Sequence, residues 1–72
     1  MAHHDYTPEE LEYEARQACE QYPLTRYHGR TPRGTVRGKL LEWYVRVGGR
    51  SCSLIAVCKY SDGEIREIQI AL

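Results

Sequence analysis

A run of alternating residues between Lys39 and Tyr60, split at Gly48-Gly49, constrains this chain more than any other feature. Leu41, Trp43, Val45 and Val47 occupy every second position of the first arm, and Cys52, Leu54, Ala56 and Cys58 every second position of the second. Period-two alternation marks a strand with one buried face. A Gly-Gly pair supplies the left-handed backbone angles of a tight hairpin turn. With Gly48-Gly49 as the turn, Val45 faces Cys52, Trp43 faces Leu54 and Leu41 faces Ala56, so all six share one face.

Ser61-Asp62-Gly63 offers a second turn, and the pattern chooses its length. A two-residue loop would set Gln69 against Ala56 in the core. A three-residue loop with Gly63 in a bulge pairs Leu54 with Ile70, Ala56 with Ile68 and Cys52 with Leu72, which aligns the apolar residues. The expectation is a three-stranded antiparallel meander over 39–72, its core face made of Leu41, Trp43, Val45, Cys52, Leu54, Ala56, Ile68, Ile70 and Leu72.

Upstream, Thr7-Pro8-Glu9-Glu10 is a helix start: Thr7 caps, Pro8 takes the first helical position and Glu10 closes a capping box. Leu11, Ala15, Ala18, Cys19 and Tyr22 fall on one face, and Pro23 limits the helix to 8–22. Glu12 and Arg16 form a four-apart pair. The small buried face allows a close approach to a sheet. The fold class is therefore α+β: one N-terminal helix packed on a three-stranded meander, in a single domain spanning 1–72, with 1–6 frayed. His3-His4 is read as a mobile N-terminal dipeptide rather than a metal pair.

Between helix and sheet, 23–38 is rich in turn formers and reads as a basic loop, with Leu24 to Tyr27 as a short extra edge strand. Charge sharpens this reading. The formal net charge is zero, but it divides unevenly. The stretch 1–22 holds six acids against Arg16 alone, whereas 23–50 holds seven bases against Glu42 alone. Arg26, Tyr27, His28, Arg30, Arg33 and Arg37 form the candidate binding loop, extended by Lys39. Arginine pairs with phosphate or carboxylate, and Tyr27 can stack on a base. The alternative is that these arginines pair with the acidic helix, within the molecule or across a dimer.

The other face of the meander carries Leu40, Tyr44, Ile55, Val57 and Ile65 among charged residues. An apolar patch of that kind on a short chain is a candidate interface, with a homodimer its commonest form, unless the basic loop folds over it.

Three cysteines are present. Cys52 and Cys58 lie about 20 Å apart along one strand and cannot bridge each other. All three are read as reduced thiols in a reducing compartment. The polar N-terminus lacks a leader-like apolar segment, and no run approaches the ~20 apolar residues of a membrane span. A cytoplasmic location follows as the expectation.

No zinc-knuckle spacing, phosphate cradle, nucleophile elbow or paired acidic metal ligands occur. No catalytic residue, metal or cofactor is assigned. The leading expectation is a non-enzymatic binding or regulatory protein, docking the basic loop on a protein partner with an acidic surface. Antitoxin-like or immunity proteins and inhibitors from a phage or mobile element are compatible classes. Nucleic-acid binding through 26–39 is second. A small metal-free ribonuclease using His28, Tyr27 and Arg30 is third.

Overall fold

The computed structural model describes residues 6–72. The His3-His4 pair, and all of the expected frayed N-terminus except Tyr6, lie outside the described residues.

Helix α1 runs Pro8–Glu20, and its capping box forms as expected. The Thr7 hydroxyl accepts the Glu10 N–H at 3.2 Å, and the Glu10 carboxylate accepts the Thr7 N–H at 3.1 Å. Leu11, Ala15 and Cys19 are buried. The helix stops two residues before the expected end, with Gln21 as its cap. Tyr22 then points outward at 72% exposure rather than completing the buried stripe.

Strands β3 (Gly38–Gly48), β4 (Ser51–Tyr60) and β5 (Ile65–Ala71) form the antiparallel meander, with β4 central. The β4–β5 register is the expected one: Leu54 pairs with Ile70 and Ala56 with Ile68. Gly63 adopts φ 96° in the three-residue turn.

The β3–β4 register differs by two residues. Val45 pairs with Leu54 and Trp43 with Ala56. The turn is Gly49-Arg50, because this hairpin needs left-handed φ only at its first central residue, where Gly49 has φ 57°. Gly48 stays in the strand, opposite Ser51. A two-residue shift preserves the facing of each side chain as far as Glu42. There a bulge at Leu41 reverses it. Leu40 moves to the core face and packs on the buried cluster, and Leu41 is expelled to 52% exposure. The expected positions of these two leucines are thus exchanged.

The stretch 23–38 is not a loop. Strands β1 (Leu24–His28) and β2 (Thr31–Val36) form a separate two-stranded sheet. Its turn is Gly29-Arg30, with Gly29 at φ 63°, the same Gly-Arg chemistry as the β3–β4 hairpin. Leu24 faces Val36 at the base, and both pack against the core. Beyond that base the hairpin is an exposed arm.

The core is centred near the Tyr60 end of the sheet, on Leu11, Ala15, Cys19, Leu54, Ala56, Cys58 and Tyr60. A 13-residue helix is about 20 Å long, too short to cover strands of about 33–36 Å. Val45, Val47 and Leu72 at the other end are therefore 40%, 72% and 36% exposed. Cys52, expected in the core, is exposed there too.

Cys19 and Cys58 form a disulfide between α1 and β4, with their Cα atoms 5.5 Å apart. This corrects the reading of three reduced thiols. Distance along a strand excludes Cys52–Cys58, but α1 crosses β4 so closely that Cys19 sits on Cys58. Gly38, on the neighbouring β3, shows how close the helix lies to the sheet: a Cβ there would collide with the Cys19 carbonyl oxygen. The cytoplasmic expectation drew on reduced thiols and loses that support. Among the described residues, no helix is long and apolar enough to cross a membrane.

Candidate functional site

The arm begins at the Tyr60 end of the sheet, opposite the Gly49 turn. The molecule measures 46 × 23 × 17 Å. Its radius of gyration is 14.3 Å, against about 11 Å for a compact chain of this length. Beyond Leu24, Arg26 and Val36, the arm's strands pair only with each other and stay exposed, so polar residues are tolerated there.

The arm's basic residues divide into an anchor and a tip. Arg26 is the anchor. Its Nε donates to Asp62 at 2.9 Å and its Nη2 to the other Asp62 oxygen at 3.2 Å. It also pairs with Glu64 and lies over the Tyr60 ring, 5.5 Å from the centroid. These hydrogen bonds, that to Asp62 foremost, hold the guanidinium above its ordinary pKa. Its hydrogen bond lowers the Asp62 carboxyl, and Arg66 followed by Arg26 lowers Glu64. Arg26 was expected among the docking residues. Its fork is instead occupied in fixing the arm to the β4–β5 turn.

Arg30 and Arg33 form the tip. Arg30 is the second turn residue, and Arg33 is the extra residue of a bulge that Gly34 accommodates at φ 117°. Among the described residues, neither has a carboxylate within 4 Å. Tyr27 is 63% exposed, and His28 is exposed beside it. Among the described residues, no ion pair joins the arm's arginines to the acidic helix within the molecule, and Arg16 bonds Glu12 and Glu20 within α1, at 3.3 and 3.2 Å. Arg37 lies at the arm's root, where its backbone exchanges two hydrogen bonds with Ser61.

The candidate apolar interface on the outer sheet face is not brought together. Leu40 is on the opposite face. Ile55 is only 2% exposed. Tyr44, directly across from Ile55, donates its hydroxyl to Glu67 on β5 at 3.1 Å, so its ring bridges the central strand. Arg46 donates to the same hydroxyl at 3.3 Å, and Gln69 donates to Ser53 at 2.9 Å. Val57 is half-buried under this cover, and Ile65 remains 57% exposed at the edge. The cover comes from the sheet's own polar side chains, not from the basic segment.

A residue that sequence reasoning left unassigned is Lys59. It stands directly opposite Lys39 across the β3–β4 ladder, and both line a groove with Arg37. Like charges at facing positions were detectable only with the correct register and the bulge. No group of three or more His, Cys, Asp or Glu is placed to hold a metal ion among the described residues.

No family model, curated protein or solved structure matches the chain. The functional reading therefore stands on geometry and chemistry.

Proposed function

We propose that this chain is a nucleic-acid-binding protein that seats its β1–β2 arm against a phosphate backbone, by contact rather than catalysis. One observation carries the reading. A protruding two-stranded ribbon ends in two guanidinium groups with no internal partner among the described residues, flanked by Tyr27 and His28. A two-stranded ribbon has the width to enter a DNA major groove. Arginines donate to phosphate in a forked geometry, and an exposed tyrosine supplies a stacking surface where bases are unpaired.

Fluorescence anisotropy with labelled duplex and single-stranded oligonucleotides tests this, at about 0.01 and 0.15 M salt. With roughly two to four phosphates neutralised, log K should fall against log salt with a slope of about −2 to −4 on duplex DNA. A duplex preference supports groove entry, and a single-strand preference supports stacking by Tyr27. Absence of binding at the lower salt would refute the proposal.

A protein partner is the second reading, and the strip of Val45, Val47 and Leu72 favours it. That strip lies at the far end of the sheet from the arm. A single acidic partner would have to span the long axis to use both, whereas a second copy of the chain would need only the strip.

A further inference from the structure

Positive charge gathers a second time at the root of the arm, away from its tip. A groove of about 570 Å³ runs beside the open edge of β3, walled by Arg37, Lys39, Lys59, Leu41, Arg16 and Glu20. We propose that this groove is a phosphate site, in which Lys39, Lys59 and Arg37 converge on a phosphoryl group, free or carried on a nucleic-acid backbone. The site does not depend on the arm binding nucleic acid.

Three observations support it. First, Lys39 and Lys59 are direct cross-strand partners. Facing residues of an antiparallel pair have Cβ atoms about 5 Å apart, and like charges there repel. Lysine on an edge strand such as β3 is an ordinary guard against strand pairing. Lys59 is on the central strand, where there is no edge to guard. Neither lysine has a carboxylate within 4 Å among the described residues.

Second, the one carboxylate in the groove is already engaged. Glu20 accepts from Arg16 at 3.2 Å and from the Leu40 backbone N–H at 3.0 Å. It occupies one backbone N–H of the β3 edge and leaves the lysines uncompensated. An anion between them would turn repulsion into two charge-assisted contacts.

Third, the local backbone is shaped around the groove. The bulge turns Leu41 out to form an apolar wall. Arg37 is held at the rim through both its N–H and its carbonyl by Ser61, at 3.2 and 2.8 Å. The volume falls within the range of about 300–1,000 Å³ for small-ligand sites.

The test is isothermal titration of the full, disulfide-bonded chain with inorganic pyrophosphate, beside the double variant Lys39→Gln/Lys59→Gln. The wild type should bind, and the variant should bind at least about tenfold more weakly, the loss expected when charge-assisted contacts are removed. The variant should melt no lower than wild type, because the repulsion is relieved. A lower melting temperature, or equal affinity in both proteins, would overturn the proposal. Titrating pyrophosphate into a preformed oligonucleotide complex separates the two sources. Displacement assigns the groove to backbone phosphate, and simultaneous binding assigns it to a free phosphate compound. Pyrophosphate binding without oligonucleotide binding would sink the arm reading alone. Oligonucleotide binding without pyrophosphate binding would sink the groove alone.

Discussion

Removing the covalent tie between helix and sheet is the perturbation with the largest expected effect. The Cys19–Cys58 bridge spans 39 residues of sequence, and the chain-entropy relation gives about 4 kcal/mol at 25 °C for a loop of that length. A 72-residue domain has a total stability of roughly 4–11 kcal/mol. Loss of the bridge therefore removes a third of the stability or more. At about 4–8 °C per kcal/mol for a domain of this size, Cys19→Ala/Cys58→Ala should melt roughly 15–30 °C below the oxidised wild type. Both sulfurs are buried, so the native bridge should resist reductant until the domain opens. Circular dichroism melts give the shift. Thiol titration in denaturant gives the chemistry: one reactive thiol, Cys52, before reduction and three after. Three thiols before reduction, under oxidising conditions, would refute the bridge. A melting shift below about 5 °C would refute its role in holding helix to sheet.

Gly38→Ala should destabilise the fold by about 1–3 kcal/mol, because the new methyl meets the Cys19 carbonyl and backbone must move; an unchanged urea midpoint would contradict the close helix crossing. Asp62 and Glu64 both have lowered carboxyl pKa values. The Arg26 anchor is therefore complete above the ordinary carboxylate range and is lost as pH falls through the lowered values. In an NMR titration the Arg26 Nε–H should respond with a midpoint below the ordinary carboxylate values of about 3.9 for Asp and 4.3 for Glu, and a midpoint at those ordinary values would show the anchor absent. If a second copy covers the inner strip, Val47→Glu should convert a dimer to a monomer by sedimentation equilibrium; a wild type that is already monomeric removes that reading.

What the sequence made legible, and what it hid, follows from the range of each interaction. The capping box is written in four consecutive residues. The β4–β5 register was fixed because only one loop length keeps Gln69 out of the core. The β3–β4 register was not, because adjacent glycines permit two turns two residues apart. The neighbouring leucines 40 and 41 exchange faces through a single bulge, which alternation alone does not reveal. The arm carries no apolar alternation, since only Leu24 and Val36 at its base and the Arg26 anchor over Tyr60 meet the core. Nothing near Arg26 marks it as an anchor, because Asp62 lies 36 residues away. The disulfide left a usable signal: Cys19 and Cys58 both fall on inward-facing positions, and a helix face that small brings them together.

In the proposed function the arm's tip docks on phosphate and is not a structural element. Arg30→Glu/Arg33→Glu tests it most directly, with melting temperature and oligonucleotide anisotropy measured on the same sample. The expected result is a melting temperature within a few degrees of wild type, as for exposed surface substitutions, together with loss of oligonucleotide binding. Unchanged binding would contradict the claim, and so would a large fall in melting temperature, which would mean that these arginines hold the fold together.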